Sequence, residues 1–334
     1  MPRSVRAAMV ALVVFSSLMV AAQIRQRHFR FTYAFTVRNL PLGKPVRVWF
    51  PMAASDKWQT VKVISARGDL LLRTTREPEY GDRMFYATAR KATRTEYHFA
   101  VTYDVVRRER VGYRDGHFAG PAVYPPSAVL RRFLEPDRLV PTTGKLAELA
   151  KVEVKGDTTP MAKARSIYDY VFRTMRYDKS GTGWGRGDAE WACDAKHGNC
   201  TDFHSLFISM ARSQGIPSRF AIGFPIPENT HAGEIPGYHC WVDFYADHHW
   251  VPIDISEAWL DKAKKEYYFG SHGDNRVQFS VGRDIRLSPK QSGPPVNYFV
   301  YPYVEAAGKE FLNVRNEFRF ADVMEPGKTK IAKK

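Results

Sequence analysis

The chain has 334 residues, a formal net charge of +15, 44% hydrophobic and 25% charged residues. These are the fractions of an ordinary soluble globular protein, and the length accommodates two compact domains. Three cysteines exclude a disulfide framework, and no internal repeat or low-complexity tract is present.

At the N-terminus, Arg3 and Arg6 precede an uncharged run from Ala7 to Ala22, too short for a comfortable membrane span. Val20-Ala21-Ala22 fits a small-residue cleavage site before Gln23. Residues 1–22 therefore read as a signal peptide, and the protein as exported to a periplasm or the cell exterior. Arg25, Arg27 and Arg30 follow closely and keep an uncleaved membrane anchor open, because basic flanks resist translocation. Before residue 112 stand 20 Lys and Arg against 8 acids, so the positive excess is mostly N-terminal. It either favours an anionic envelope surface or serves as a solvated face. No nucleic-acid-binding motif accompanies it, so nucleic acid is not expected as a partner.

Residues 23–112 read as an all-β sandwich. Phe29, Phe31, Tyr33, Phe35 and Val37 alternate with polar or small residues, as do Tyr97, Phe99, Val101, Tyr103 and Val105. Period-two patterns mean strands with one buried face. Shorter candidates lie at 46–50, 61–65, 70–74 and 84–89, separated by turn clusters. Residues 113–141 carry five prolines and predict an extended connector.

Residues 142–290 alternate helices and strands, an α+β pattern. Helices are expected from Thr142 or Thr143 and from Thr159-Pro160, where proline suits the first turn. A glycine-rich stretch, Gly181–Gly187, precedes a third helix whose apolar stripe is Phe203, Leu206, Phe207, Met210 and Ala211. Asn199 is its expected N-cap, Asp202 its capping-box acceptor and Gly215 its stop. Cys200 then occupies the first helical position, where unpaired N–H groups and the macrodipole favour a thiolate. Strands follow at 218–224, 238–245 and 250–254. If the last two form a hairpin whose facing numbers sum to 493, His239 faces Asp254. A nucleophile, a base and an orienting acid are then all present. Alternation turns Cys240 to the face opposite His239, as a packing residue. A final strand is expected within 296–304, in a C-terminal segment, 291–334, that ends in the basic tail Lys328–Lys334.

At this point the chain resembles the transglutaminase-like superfamily of papain-related thiol enzymes. The resemblance rests on Gly198-Asn199-Cys200-Thr201-Asp202-Phe203, Gly215-Ile216-Pro217-Ser218-Arg219, Gly223-Phe224, His239-Cys240-Trp241-Val242 and Trp250-Val251-Pro252-Ile253-Asp254. It covers roughly residues 130–260, as several separated motifs agreeing in order. It implies a papain-like transglutaminase core over residues 142–290, with Cys200 as nucleophile, His239 as general base and acid, and Asp254 as orienting residue. The chemistry implied is thiol-dependent amide hydrolysis or acyl transfer on a peptide or protein, with cell-wall peptide among the candidates. An indole ahead of the cysteine is implied as oxyanion donor; Trp191 is preferred over Trp184, with packing against the glycine-rich loop as its other reading.

No cofactor is expected, and no acidic loop matches a calcium-binding EF-hand. Cys193, His197, Cys200 and His204 form a superficial four-ligand set, but their crowding across a helix start is unlike known zinc spacings. A single Cys193–Cys240 bridge stays open on sequence grounds. The rival reading is a catalytically idle binding or scaffold module at the cell envelope.

Overall fold

The computed structural model describes residues 24–324. The signal-peptide segment and the basic tail lie outside the described residues. Alternation in the first strand, Gln26–Val37, buries one side of it at the middle of a five-stranded antiparallel sheet. It pairs over its whole length with Tyr97–Arg108, from Gln26 opposite Arg108 to Val37 opposite Tyr97. Its other side pairs with Val314–Asp322. Gln59–Gly68 and Ala232–Glu234 form the edges. The second sheet runs Lys309–Glu310, Tyr303–Ala306, Val46–Pro51, Arg83–Ala89 and Arg73–Arg76. Phe35 meets Phe50 across the two sheets, with ring centroids 5.0 Å apart.

Both sheets thus take strands from both ends of the chain, and a boundary at residue 112 encloses only part of the sandwich. The last strand lies at Val314–Asp322 rather than within 296–304. Its only buried residues are Phe318 and Phe320, set among charged neighbours, so its period-two signal is faint. The connector is not wholly extended either. Directly after Pro125-Pro126 it forms the short helix Ser127–Arg132.

A four-stranded antiparallel sheet, ordered His249–Ile253, His239–Ala246, Ser218–Pro225 and Arg276–Val281, forms the second half. Its Phe224 and Phe279 pack on Phe31 of the sandwich at 5.1 and 5.5 Å, so one apolar core runs through both halves. The free edge of Arg276–Val281 is capped by a side chain. The buried Gln59 amide donates to the Gln278 carbonyl (3.0 Å) and accepts from its N–H (2.9 Å), in the manner of a neighbouring strand. On the other side Gly223 sits at a register shift, where a Cβ would lie 1.8 Å from the Val277 carbonyl oxygen; only glycine fits there.

The helix Cys200–Ser213 stands at the centre of this half. A stripe on one face was expected, yet every residue from Cys200 to Arg212 is buried. Helices Lys145–Glu153, Pro160–Thr174, Ala189–Ala195 and Ile255–Leu260 surround it, and the sheet covers the remaining side. Ser205 and Ser209 are small enough to face these neighbours and find partners in Arg283 and the Pro141 carbonyl. Thr159 caps the Pro160 helix as expected, accepting from the Ala162 N–H, whereas the Lys145 helix starts after Gly144, slightly later than expected. Gly215, at φ +78°, follows the end of the central helix in the left-handed conformation expected of its stop.

Candidate active site

The strands carrying His239 and Asp254 do form a hairpin, but its register differs from expectation. Ala246 faces His249 and Val242 faces Ile253, a sum of 495 rather than 493. The loop is Asp247-His248, both at positive φ (46° and 63°), the two-residue geometry that matches strand twist. Extended one step further, this register sets Asp254 opposite Trp241 and not His239. A shift of two residues leaves Asp254 on the His239 face. The carboxylate reaches the imidazole along the diagonal, with His239 Nε2 donating to Asp254 Oδ2 at 2.7 Å.

Asp254 ends the strand and caps the next helix. Its Oδ1 accepts from the Glu257 N–H and the Ser256 hydroxyl, both at 3.1 Å. Its Oδ2 also accepts from Arg276 Nη1 at 2.9 Å, and Arg276 lies over the Trp241 ring at 4.8 Å. Carboxylate and guanidinium are both buried. Three donors therefore fix the group that fixes the imidazole.

Cys200 opens its helix as the sequence predicts. Asn199 Oδ1 accepts from the Thr201 N–H, and Asp202 Oδ2 returns to the Asn199 N–H, both at 2.9 Å. The buried Asp202 does more than cap. It also accepts from the N–H groups of Gly185 (2.7 Å) and Gly187 (3.0 Å), anchoring the glycine-rich loop beside the helix start. A Cβ on Gly198 would lie 2.3 Å from the Asp202 carboxylate, so a glycine is required there.

Cys200 and His239 each shift the other's ionisation, and because His239 Nε2 is already engaged by Asp254, Nδ1 is the nitrogen left to serve the thiol. Burial pushes the thiol up. Hydrogen bonds from Cys240 and His239, with the imidazolium charge, outweigh it and bring Cys200 down to about 6. Burial likewise pulls His239 down, but the Asp254 charge and hydrogen bond, joined by Cys200, raise it to about 10. Asp254 is held well below the usual carboxylate range, since His239 and Arg276 overcome its burial. The three groups sit as thiolate, imidazolium and carboxylate near neutral pH.

Residues 147–255 match the family described as the transglutaminase-like superfamily. This stretch is a transglutaminase-like core. Over 316 residues the chain is 27% identical to an uncharacterised protein of Haemophilus influenzae, covering 84% of this chain and 85% of that one. A solved chain from Cytophaga hutchinsonii, named "Putative Cysteine Protease", superposes with a TM-score of 0.57 at 17% identity, over 91% of this chain and 94% of that one; the likeness is one of fold. The periplasmic domain of TgpA from Pseudomonas aeruginosa gives a TM-score of 0.35 at 13% identity over 73% of this chain and 91% of its own, too low to carry an argument.

Within the transglutaminase-like core, Trp191 lies against the glycine-rich loop. Its indole packs beneath Gly183, whose Cβ would lie 2.6 Å from Nε1, and its ring meets His197 at 5.3 Å. The polar groups that stand at the thiol side are phenols. Tyr238 OH accepts from Asn199 Nδ2 at 3.0 Å, and Tyr298 OH donates to the Gly185 carbonyl at 2.9 Å. The four residues of the superficial metal set have separate partners. His197 faces the Asp178 carbonyl and His204 faces Cys240, and among the described residues no three His, Cys, Asp or Glu side chains are arranged to hold a metal ion. All three cysteines are unbridged.

Cys240 is wholly buried in the apolar core, as its reading as a packing residue has it. Its sulfur is also 3.4 Å from His204 Nδ1. The strand His249–Ile253 stops opposite Val242, leaving the edge at His239–Cys240 open. Sequence reasoning missed Arg276 and undervalued His204. A lone charge opening the strand Arg276–Val281, and a histidine four residues after the cysteine on one helix face, were the available signals.

Proposed function

We propose that this chain is a cysteine enzyme that cleaves an amide bond in a peptide or protein, with water as the usual acceptor. The observation that carries the reading is the Cys200 thiol set against an imidazole whose far nitrogen is held by Asp254 at 2.7 Å. The Cys200 thiolate attacks the amide carbonyl, and the His239 imidazolium protonates the departing amine. His239, now neutral, takes a proton from water as it opens the thioester. An amine in place of water gives transfer by the same steps. The Cys200 N–H, at the first helical position, has no intrahelical partner and is available to an oxyanion, whereas the Thr201 N–H is taken by the Asn199 cap. An apolar N-terminal run and a basic N-terminal half support an exported enzyme at the cell envelope, soluble or held by an uncleaved anchor, with cell-wall peptide among its substrates.

One observation favours an idle binding module instead: Cys200 is only 2% exposed. Iodoacetamide labelling of the full chain, read by peptide mapping near neutral pH, separates the two. An enzyme labels Cys200 much faster than Cys193 or Cys240, and Cys200→Ala removes peptide cleavage. Equal slow labelling of all three thiols overturns the enzyme reading.

A further inference from the structure

The helix that opens on Cys200 reaches the turn carrying Asp254 by a route that does not pass through His239. His204 lies one turn after Cys200 on the same helix face and is wholly buried. Its Nε2 accepts from the Ile255 N–H at 3.1 Å. Ile255 is the first residue of the helix Ile255–Leu260, where an N–H has no intrahelical partner. The Asp254 cap takes the Glu257 N–H, two residues further on, and leaves that of Ile255 to His204. On the other side of the acid, the Asp254 N–H donates to the Tyr268 carbonyl at 3.0 Å. The amides before and after the carboxylate-bearing carbon are thus both tied down, and the second tie comes from the nucleophile's own helix. A tie is needed there because the ladder between the strands His239–Ala246 and His249–Ile253 has already ended, at Val242 opposite Ile253.

Resting on Cys200, His239 and Asp254 as the working triad, we propose that His204 is a positioning residue for the same reaction: through the Ile255 N–H it sets the Asp254 carboxylate at its distance from the helix that carries the thiol. The imidazolium of His239 then faces the thiolate with its counter-charge in place. His204 acts through Asp254 and not on the substrate. The role requires a neutral ring with its proton on Nδ1. Nε2 is 3.6 Å from Asp254 Oδ1, so a proton there would give up the Ile255 bond and pull the carboxylate away from His239. Burial, against the pull of Asp254, lowers His204 to about 3, and the charges of His239 and Arg276 act in the same direction as burial. Cys240, 3.4 Å from Nδ1 on the neighbouring strand, is raised by burial and stays neutral as well.

The test is the pH dependence of iodoacetamide labelling at Cys200 in the full chain, read by peptide mapping beside a thermal melt. His204→Met keeps an apolar side chain of similar reach but offers only a weak acceptor. The carboxylate is then free to shift, the imidazolium loses part of its counter-charge, and the labelling midpoint moves up by about one pH unit, the low end of the effect of a nearby opposite charge. His204→Gln offers a carbonyl oxygen to the Ile255 N–H and returns the midpoint toward the parent. Should the methionine variant not fold, Ile255→Pro removes the same bond from the donor's side, at a helix position that accommodates proline, and moves the midpoint likewise. A lower melting temperature with the midpoint unmoved in the folded methionine or proline variant, or a glutamine variant displaced as far as methionine, overturns the inference while leaving the nucleophile intact. A parent Cys200 that labels no faster than Cys193 at any pH overturns the functional reading itself, and this inference with it.

Discussion

The sandwich and the transglutaminase-like half are built by opposite means. The sandwich pairs residues almost 300 positions apart, as in Phe29 opposite Asp322. The transglutaminase-like half draws its candidate site from short stretches whose local signals are strong: a capped helix start, a two-residue hairpin and a strand end that caps a helix. The lesson is that placing a reactive group takes local rules, whereas holding it takes pairing over the whole chain. Phe224 and Phe279 make the connection, facing the sandwich from the sheet that carries His239.

This contrast can be broken at several strengths. The largest expected effect is on chemistry alone. Cys200→Ala lowers peptide cleavage by about 10⁴-fold or more, with little change in the thermal melt; a matching loss of stability would show that site and scaffold are inseparable. Removing the chain after Asn313 acts on the scaffold. It strips Phe318 and Phe320 from the core, each contributing about 3–5 kcal/mol on truncation to alanine. Circular dichroism is expected to show a much lower melting temperature, with Cys200 labelling slowed in parallel. Arg276→Met lies between the two. It leaves Asp254 buried without its fixed cation, and breaking such a pair costs about 3–5 kcal/mol, measured by denaturant unfolding.

Two smaller effects sharpen the comparison. Cleavage needs Cys200 ionised and His239 protonated. Cys200 is lowered to about 6, so kcat/KM rises as pH climbs through that value; His239 is raised to about 10, so it falls as pH climbs through that one. A pH–rate profile is expected to change about tenfold per unit on each outer limb. At the hairpin, His248 holds φ at +63°, and His248→Gly relieves the left-handed strain, gaining at most about 1 kcal/mol in a thermal melt.

Cys200, His239 and Asp254 were legible because each sits at a position with its own local signature. The hairpin register was missed by two residues. The sequence offered several turn lengths, and only the tolerance of Asp247 and His248 for positive φ selects one. Helix Cys200–Ser213 was legible in extent but not in environment: a stripe on one face does not reveal that serines on the other are buried too. The partners of the triad were harder still. Arg276 lies over 20 residues beyond Asp254, and His204 meets the Ile255 amide from another helix. Least legible was the closing of the sandwich by Val314–Asp322, which has no local mark beyond two phenylalanines.

That closing strand has a consequence for how the molecule is made. Gln26–Val37 finds Tyr97–Arg108 soon after that strand is made, but its other edge stays open until Val314–Asp322 has been synthesised. A nascent chain therefore presents an unmatched apolar strand over that whole interval, and the wide sequence separation of its partner makes completion slow. Whatever escorts the growing polypeptide must shield that edge until residue 322 arrives.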